Sequence, residues 1–319
     1  MKSVVLSMIL VPLATWASTD WMPGKVGVFA HYLPTKSTFN CVNDFDVPRL
    51  VKRLKEIHAD YLILTLGQNS GYFCAPNAAY ELRAGYAAGS HCATRDIPAE
   101  IIAALKGTDI RFGLYLPCQP PNQDLNAALK FGLAAEGVED GNDRRITDVC
   151  ADRWSEVIGE WAQRYGAGVS LWWFDGAYSW CGFSDGVLAK YKAVCHAGNP
   201  DVAVAFNAGV RYEGDDLQSD YWAGEENEPL SVVPHSDRWH KSGVQWHVLT
   251  FMGIQWCWPD CRFRDAQLKD WIFQSTSRGG ACTLEMKIDI RDGQLDRGQS
   301  EQFARVHPRA QQKSKEKGR

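Results

Sequence analysis

Asp175 has the setting that most suggests chemistry. It closes Val169-Ser170-Leu171-Trp172-Trp173-Phe174-Asp175-Gly176, an apolar run rich in aromatic and β-branched residues that stops at a carboxylate and a glycine. Such a run reads as a short strand buried on both faces. Trp173 lies two residues before Asp175, hence on the same face, and an indole beside a carboxylate suits a sugar ring. Other useful side chains gather at the ends of comparable runs or in the loops after them: His31 and Tyr32, Gln68 and Asn69, Tyr115, Asn207, Asp220, Glu225 and Glu226, His247, and Glu285. The set holds carboxylates, imidazoles, amides and aromatics, without an activated Ser or Cys and without a glycine-rich phosphate loop. Paired carboxylates among aromatics and amides are what glycoside hydrolysis needs. One attacks the anomeric carbon, the other protonates the leaving oxygen, and a separation of about 5–5.5 Å marks the retaining route. The plainer alternatives are that Asp175 caps a turn and that Glu225–Glu228 is a solvated acidic loop.

The elements needed to position these residues can be read along the chain. Strands are expected at 26–32, 59–65, 111–116, 169–176, 202–207, 244–250 and 281–287, with a weakly marked one near 217–221. Helical periodicity covers 45–57, 98–106, 152–162, 188–195 and 265–277, and a long polar insertion runs from 117 to 147. Strands alternating with helices imply a parallel sheet, and about eight such units imply an α/β fold of the (β/α)8 TIM-like barrel kind, whose strand carboxyl ends carry the chemistry.

With 319 residues and a net charge of −4, the chain has room for one such barrel and gives no reason to expect nucleic acid or an anionic membrane as a partner. Residues 1–17 read as a secretory signal peptide cleaved near Ala17, so the mature chain is expected to be secreted or periplasmic and free of the membrane. Residues 18–305 would form the barrel and 306–319 a basic, disordered tail. Ten cysteines, none in the leader, suggest some disulfides, with Cys257 and Cys261 as a local staple. Zinc is the rival reading there, but no second close pair of Cys or His supports it. Neither a metal nor a cofactor is therefore expected.

Taken together, the motifs resemble the catalytic domain of glycoside hydrolase family 29, the α-L-fucosidases. Val26-Gly27-Val28-Phe29-Ala30-His31-Tyr32 is similar to that family's first-strand Gly-hydrophobic-Phe-x-His-Trp motif, and Asp60 through Tyr72 to its "YvvLTaKHHdGF" block. Gly113-Leu114-Tyr115 matches "GlYYS", Leu171 through Gly176 resembles "lWfDG", Ser219 through Glu226 "gDfetpEq", and Ser277-Arg278-Gly279-Gly280 "vSkGGN". The series is colinear from about residue 26 to residue 295. The resemblance implies an exo-acting, retaining enzyme for α-L-fucosides or related sugars such as α-L-galactosides, with an oligosaccharide or glycoconjugate as substrate. Asp175 would be its nucleophile. The acid/base would be Glu225, with Glu226 next and Glu285 a more distant candidate. His31, Tyr32, Gln68, Asn69, Tyr115, Trp173, His247 and Glu285 would line the sugar site. The chain departs from the family where paired His become Gln68 and Asn69, where "HWG" becomes His31-Tyr32-Leu33, where "WE" becomes Trp246-His247, and where a C-terminal β-sandwich is not evident. These departures bear on sugar identity more than on fold. A barrel carbohydrase of other specificity and a non-catalytic carbohydrate-binding homologue are the alternatives.

Overall fold

The computed structural model describes residues 16–133, 145–210 and 218–309. The expected leader up to residue 15, the tail from residue 310 and the start of the weakly marked strand at 217 lie outside the described residues. No helix among the described residues is long and apolar enough to cross a membrane.

Among the described residues seven strands form one parallel sheet: β1 (Val26–Ala30), β2 (Tyr61–Thr65), β3 (Arg111–Pro117), β4 (Leu171–Asp175), β5 (Ala203–Phe206), β6 (His247–Phe251) and β7 (Ala281–Glu285). Their order is β5-β4-β3-β2-β1-β7-β6. The sheet is curled and consistent with a TIM-like barrel. Between its edge strands runs the extended segment 220–226. Asp220 N–H donates to Val204 O of β5, while on the other side Trp222 and Glu226 N–H donate to Gln245 O and Leu249 O. Leu249 N–H returns a bond to Gly224 O. Only single bridges form here, Tyr221 with Gln245 and Glu225 with Leu249. Gly224 explains the broken ladder: its φ is +62°, and a Cβ there would lie 2.1 Å from His247 O.

Side-chain alternation divides the apolar residues between two cores. Inside the curl, Phe29, Ile63, Tyr115, Trp173, Ala205, Ala223, Leu249 and Ala281 pack together, one from each strand and from the irregular segment. Large and small residues face each other there. At inward position 27 a Cβ would lie 2.2 Å from the Tyr61 ring, so only glycine fits. Outside, residues such as Val28, Leu62, Leu114, Trp172 and Val204 meet the helices. These are α1 (Val47–Glu56), α2 (Ala78–Ala84), α3 (Ile97–Leu105), α4 (Leu125–Phe131), α5 (Asp148–Tyr165), α6 (Asp185–Gly198), α7 (Asp265–Thr276) and α8 (Arg297–Val306). Several start where the sequence supplies a cap: the Thr147 and Ser184 hydroxyls accept from Cys150 N–H and Val187 N–H.

Three features correct the sequence reading. The ten cysteines form no disulfide, and Cys257 and Cys261 are both exposed and unjoined. Strand β6 begins at His247 rather than Val244, so His247 sits at the start of its strand and not at the functional end. Three helices, α2, α4 and α8, were not anticipated, two of them short and one within the polar insertion.

Candidate active site

Side chains from the carboxyl ends of five strands and from the irregular segment converge around one opening. From β4 comes Asp175, from β3 Tyr115, from just past β1 His31, from just past β5 Asn207, from the irregular segment Glu225, and from β7 Glu285. Register accounts for this: Pro117 pairs with Asp175, Phe29 with Glu285, and Phe251 also with Glu285. Tyr115 pairs with Trp173, so it stands one inward step before Asp175, as Glu285, paired with Phe29, stands one before His31.

Asp175 is fixed by two donors. The Tyr115 hydroxyl donates to its Oδ2 at 2.7 Å and the Asn207 amide to its Oδ1 at 2.9 Å. Behind Tyr115, the Gln68 amide donates to the same hydroxyl oxygen at 2.7 Å, so the phenol proton points at the carboxylate. Asn207 Nδ2 also donates to Glu225 Oε2 at 2.6 Å. One amide thus ties both carboxylates, and their oxygens can be no further apart than bonds of 2.9 and 2.6 Å laid end to end. Burial, followed by the nearby Asp175 charge, pushes the Glu225 carboxyl up from 4.5 to about 7. The result is a carboxylate held by two donors beside a carboxyl that readily keeps a proton, two environments suited to two roles.

Aromatic walls surround the pair. Trp173 stacks on Tyr115, with centroids 5.5 Å apart and planes at 18°, and its Nε1–H donates to Ala223 O. His31 meets Tyr115 and Trp256 edge-on and lies with Nδ1 3.4 Å from Glu285 Oε1. Burial alone would lower its pKa, but hydrogen bonds with Cys257 and Glu285 outweigh that and raise it from 6.5 to about 9. The pocket over this part is lined by His31, Gln68, Trp173, Asp175, Glu225 and Trp256, among others. A second hollow continues on the far side of Asp175, along Asn69, Gln119, Asn122, Tyr178 and Trp180. Tyr178 and Trp180 are stacked at 5.3 Å and 7°, and Trp180 is 57% exposed.

The structure brings Asp175, Glu225, His31, Gln68, Asn69, Tyr115 and Trp173 to this opening, sets Tyr32, His247, Glu226 and Asp220 elsewhere, and keeps Glu285 behind His31. Tyr32, one residue beyond His31, faces the helices: it packs edge-on against Phe45 and donates to Ile290 O. His247 is fully buried at the opposite end of the curl, with Nδ1 3.0 Å from Trp222 O and Nε2 2.6 Å from Thr283 Oγ1. A carbonyl only accepts, so Nδ1 carries the proton and the ring is neutral, with burial pushing its pKa down to about 4. Glu226 is 3% exposed and is not among the pocket-lining residues, as expected of the residue after an inward Glu225. Glu285 is fully buried behind His31 and reaches the pocket only through it. Asp220 is engaged elsewhere, by Lys192 and the Val204 N–H.

Sequence reasoning named Asn207 among the strand-end side chains but assigned it no particular role, although the residue ends its strand as Asp175 does, on the neighbouring strand. Trp256, Cys257, Tyr178 and Trp180 come from irregular loops and carried no periodic signal.

The sequence matches no family model and no curated protein. In fold the chain is similar to solved glycoside hydrolases. Endo-fucoidan hydrolase MfFcnA4, of glycoside hydrolase family 107, superposes with a TM-score of 0.70 at 16% identity, over 92% of this chain and 53% of that one. The chain thus spans about half the length of that relative. Endo-fucoidan hydrolase P5AFcnA, of the same family, gives 0.70 at 14% identity, over 93% and 94%. α-L-Fucosidase AlfC from Lactobacillus casei, in complex with its α-L-fucose product, gives 0.63 at 14% identity, over 94% and 98%. At these identities the likeness shows a common fold.

Proposed function

We propose that the protein is a retaining glycoside hydrolase acting on α-L-fucosides or a close stereochemical relative, with Asp175 as nucleophile and Glu225 as acid/base. The observation that carries this reading is the Asn207 amide joining the two carboxylates at 2.9 and 2.6 Å. The two bonds share one nitrogen, so the bonded oxygens lie no further apart than the two lengths laid end to end, short of the roughly 6.5–9.5 Å between the carboxyl groups of inverting enzymes. The similarity of fold to fucose-acting hydrolases supports the choice of sugar.

In the first step an Asp175 oxygen bonds to the anomeric carbon as the glycosidic bond breaks, and Glu225 gives its proton to the departing oxygen. Tyr115 and Asn207 hold the carboxylate in place by donating to its two oxygens. In the second step Glu225, now charged, takes a proton from water. The resulting hydroxide bonds to the anomeric carbon and Asp175 leaves, so the configuration is restored and Glu225 is reprotonated. A carboxyl near pH 7 can serve in both directions. Trp173 offers the sugar an apolar face, and His31 and Gln68 offer polar partners. The Tyr178–Trp180 stack lies on the other side of Asp175, where a leaving saccharide would rest.

The test is hydrolysis of aryl α-L-fucoside and aryl α-L-galactoside by the wild type and by Asp175→Asn, with the anomeric configuration of the first-formed product read by NMR. Release by wild type alone, with retention, is expected. Inverted product would refute the mechanism, and inertness toward both sugars would refute the specificity.

A further inference from the structure

Beside the carboxylate pair, His31, Cys257 and Glu285 bring one nitrogen, one sulfur and one carboxylate oxygen within 4.8 Å of one another. We propose that these three side chains form a binding site for a thiophilic divalent cation of the zinc class, and that an ion bound there shuts the neighbouring pocket.

The ligand types match zinc, which takes imidazole, thiolate and carboxylate together and binds most often through four positions. Three protein ligands leave the fourth open, and here it faces the pocket that His31 and Cys257 both line. Ligands around one zinc lie roughly 3–4 Å apart, given bond lengths of about 2.0–2.3 Å. Small side-chain rotations close the remaining gap.

An independent observation comes from Glu285. Its side chain is completely buried, yet only Oε1 is engaged, by Cys257 N–H at 3.0 Å and His31 Nδ1 at 3.4 Å. Oε2 is also shut from solvent and has no hydrogen-bond partner. A fully buried carboxylate oxygen without a donor is costly, and a cation is the strongest partner it could receive. Cys257 in turn is exposed, which gives the ion a way in. Its φ is +64°, a conformation that non-glycine residues rarely adopt, so the chain holds the residue in place at a local cost. Cys261 lies outside the cluster.

An ion held by His31 and Cys257 would sit in the wall of the pocket that both residues line, with its open position turned to the sugar's space, so cation and substrate compete. The site is thus a brake and not a cofactor site.

The experiment is titration of the metal-free full chain with Co2+, followed by absorption. A thiolate-to-cobalt charge-transfer band saturating at one equivalent is expected, lost in Cys257→Ser and kept in Cys261→Ser. Glu285→Gln should weaken binding by roughly tenfold or more, since even partners of ligands are worth that much. Thermal melts of each variant establish that it is folded. Absence of the band would overturn the proposal. So would its loss in Cys261→Ser, which would place the ion on the two loop cysteines. A second arm adds Zn2+ to the hydrolysis assay. Inhibition that excess substrate and a chelator relieve is expected, whereas activity lost on chelation would overturn the brake. The absorption arm does not depend on the hydrolase reading, so failure of either is seen separately.

Discussion

Replacing Asn207 by leucine should make the candidate acid harder to ionise. Leucine keeps the branching and the number of side-chain heavy atoms but removes the amide that donates to Glu225 Oε2 at 2.6 Å and to Asp175 Oδ1 at 2.9 Å. Burial and the Asp175 charge raise Glu225 from 4.5 to about 7, and the Asn207 hydrogen bond pulls against them. A hydrogen bond to a charged group contributes about 1.5–3 kcal/mol, or roughly one to two pKa units. The acid must be protonated to act, so kcat/KM falls as pH rises through its pKa. In Asn207→Leu the alkaline limb should therefore move up, from near 7 to roughly 8 or above. Asp175→Asn should act in the opposite sense. Two charges about 5.5 Å apart at an effective dielectric of about 20 repel by roughly 3 kcal/mol, or some two pKa units. Burial, the larger cause, would remain. The assay for the first variant is a pH profile of kcat/KM on an aryl glycoside with a poor leaving group. The second variant lacks its nucleophile, so Glu225 is followed by carboxyl carbon NMR. An alkaline limb that stays put or moves to lower pH in Asn207→Leu, or a Glu225 pKa that rises in Asp175→Asn, would refute the pairing of these groups.

Trp180→Ala should raise KM for an oligosaccharide by about two- to tenfold, the value of one aromatic stack, and leave KM for a glycosyl fluoride unchanged. Steady-state kinetics on the two substrates decides, and equal effects on both would remove Trp180 from the leaving-group side. His247 is neutral in the folded chain with a pKa of about 4 and regains 6.5 when unfolded, so the unfolded chain binds the extra proton between those values. Its contribution is complete above pH 6.5 and lost as pH falls toward 4, by up to about 3 kcal/mol. Denaturant unfolding at pH 7 and pH 4.5 should show a smaller acid loss for His247→Gln than for wild type. Gly27→Ala should destabilise by about 1–3 kcal/mol because its Cβ would enter the buried Tyr61 ring. A double-mutant cycle with Tyr61→Leu should recover part of that.

Where local pattern and tertiary role coincide, the sequence was legible. The β4 run, with its aromatic density and terminal Asp175, placed both strand and carboxylate, and the alternation that put Trp173 beside Asp175 held. The same alternation applied to β1 would have turned Tyr32 away from His31, since adjacent residues face opposite sides. His247 was misplaced because Val244, Gln245 and Trp246 look like strand, whereas their hydrogen bonds are divided among Trp239, the irregular segment, Asp237 and Ala281 and build no regular ladder. The eighth position had no readable periodicity because Gly224 breaks its ladder. Trp256 and Cys257 reach the pocket from a loop whose path depends on Glu285, a contact between residues 28 apart that no local pattern encodes.

That broken ladder also bears on how such a site can change over generations. Asp175 is embedded between β3 and β5, and moving it would drag both neighbours. Glu225 hangs from a single bridge to Leu249 and one amide. Lengthening the connection ahead of it adds only about 0.6 kcal/mol for each doubling of loop length. Inheritance can therefore rework the proton donor and the ground around the departing group while the attacking carboxylate stays where the barrel put it.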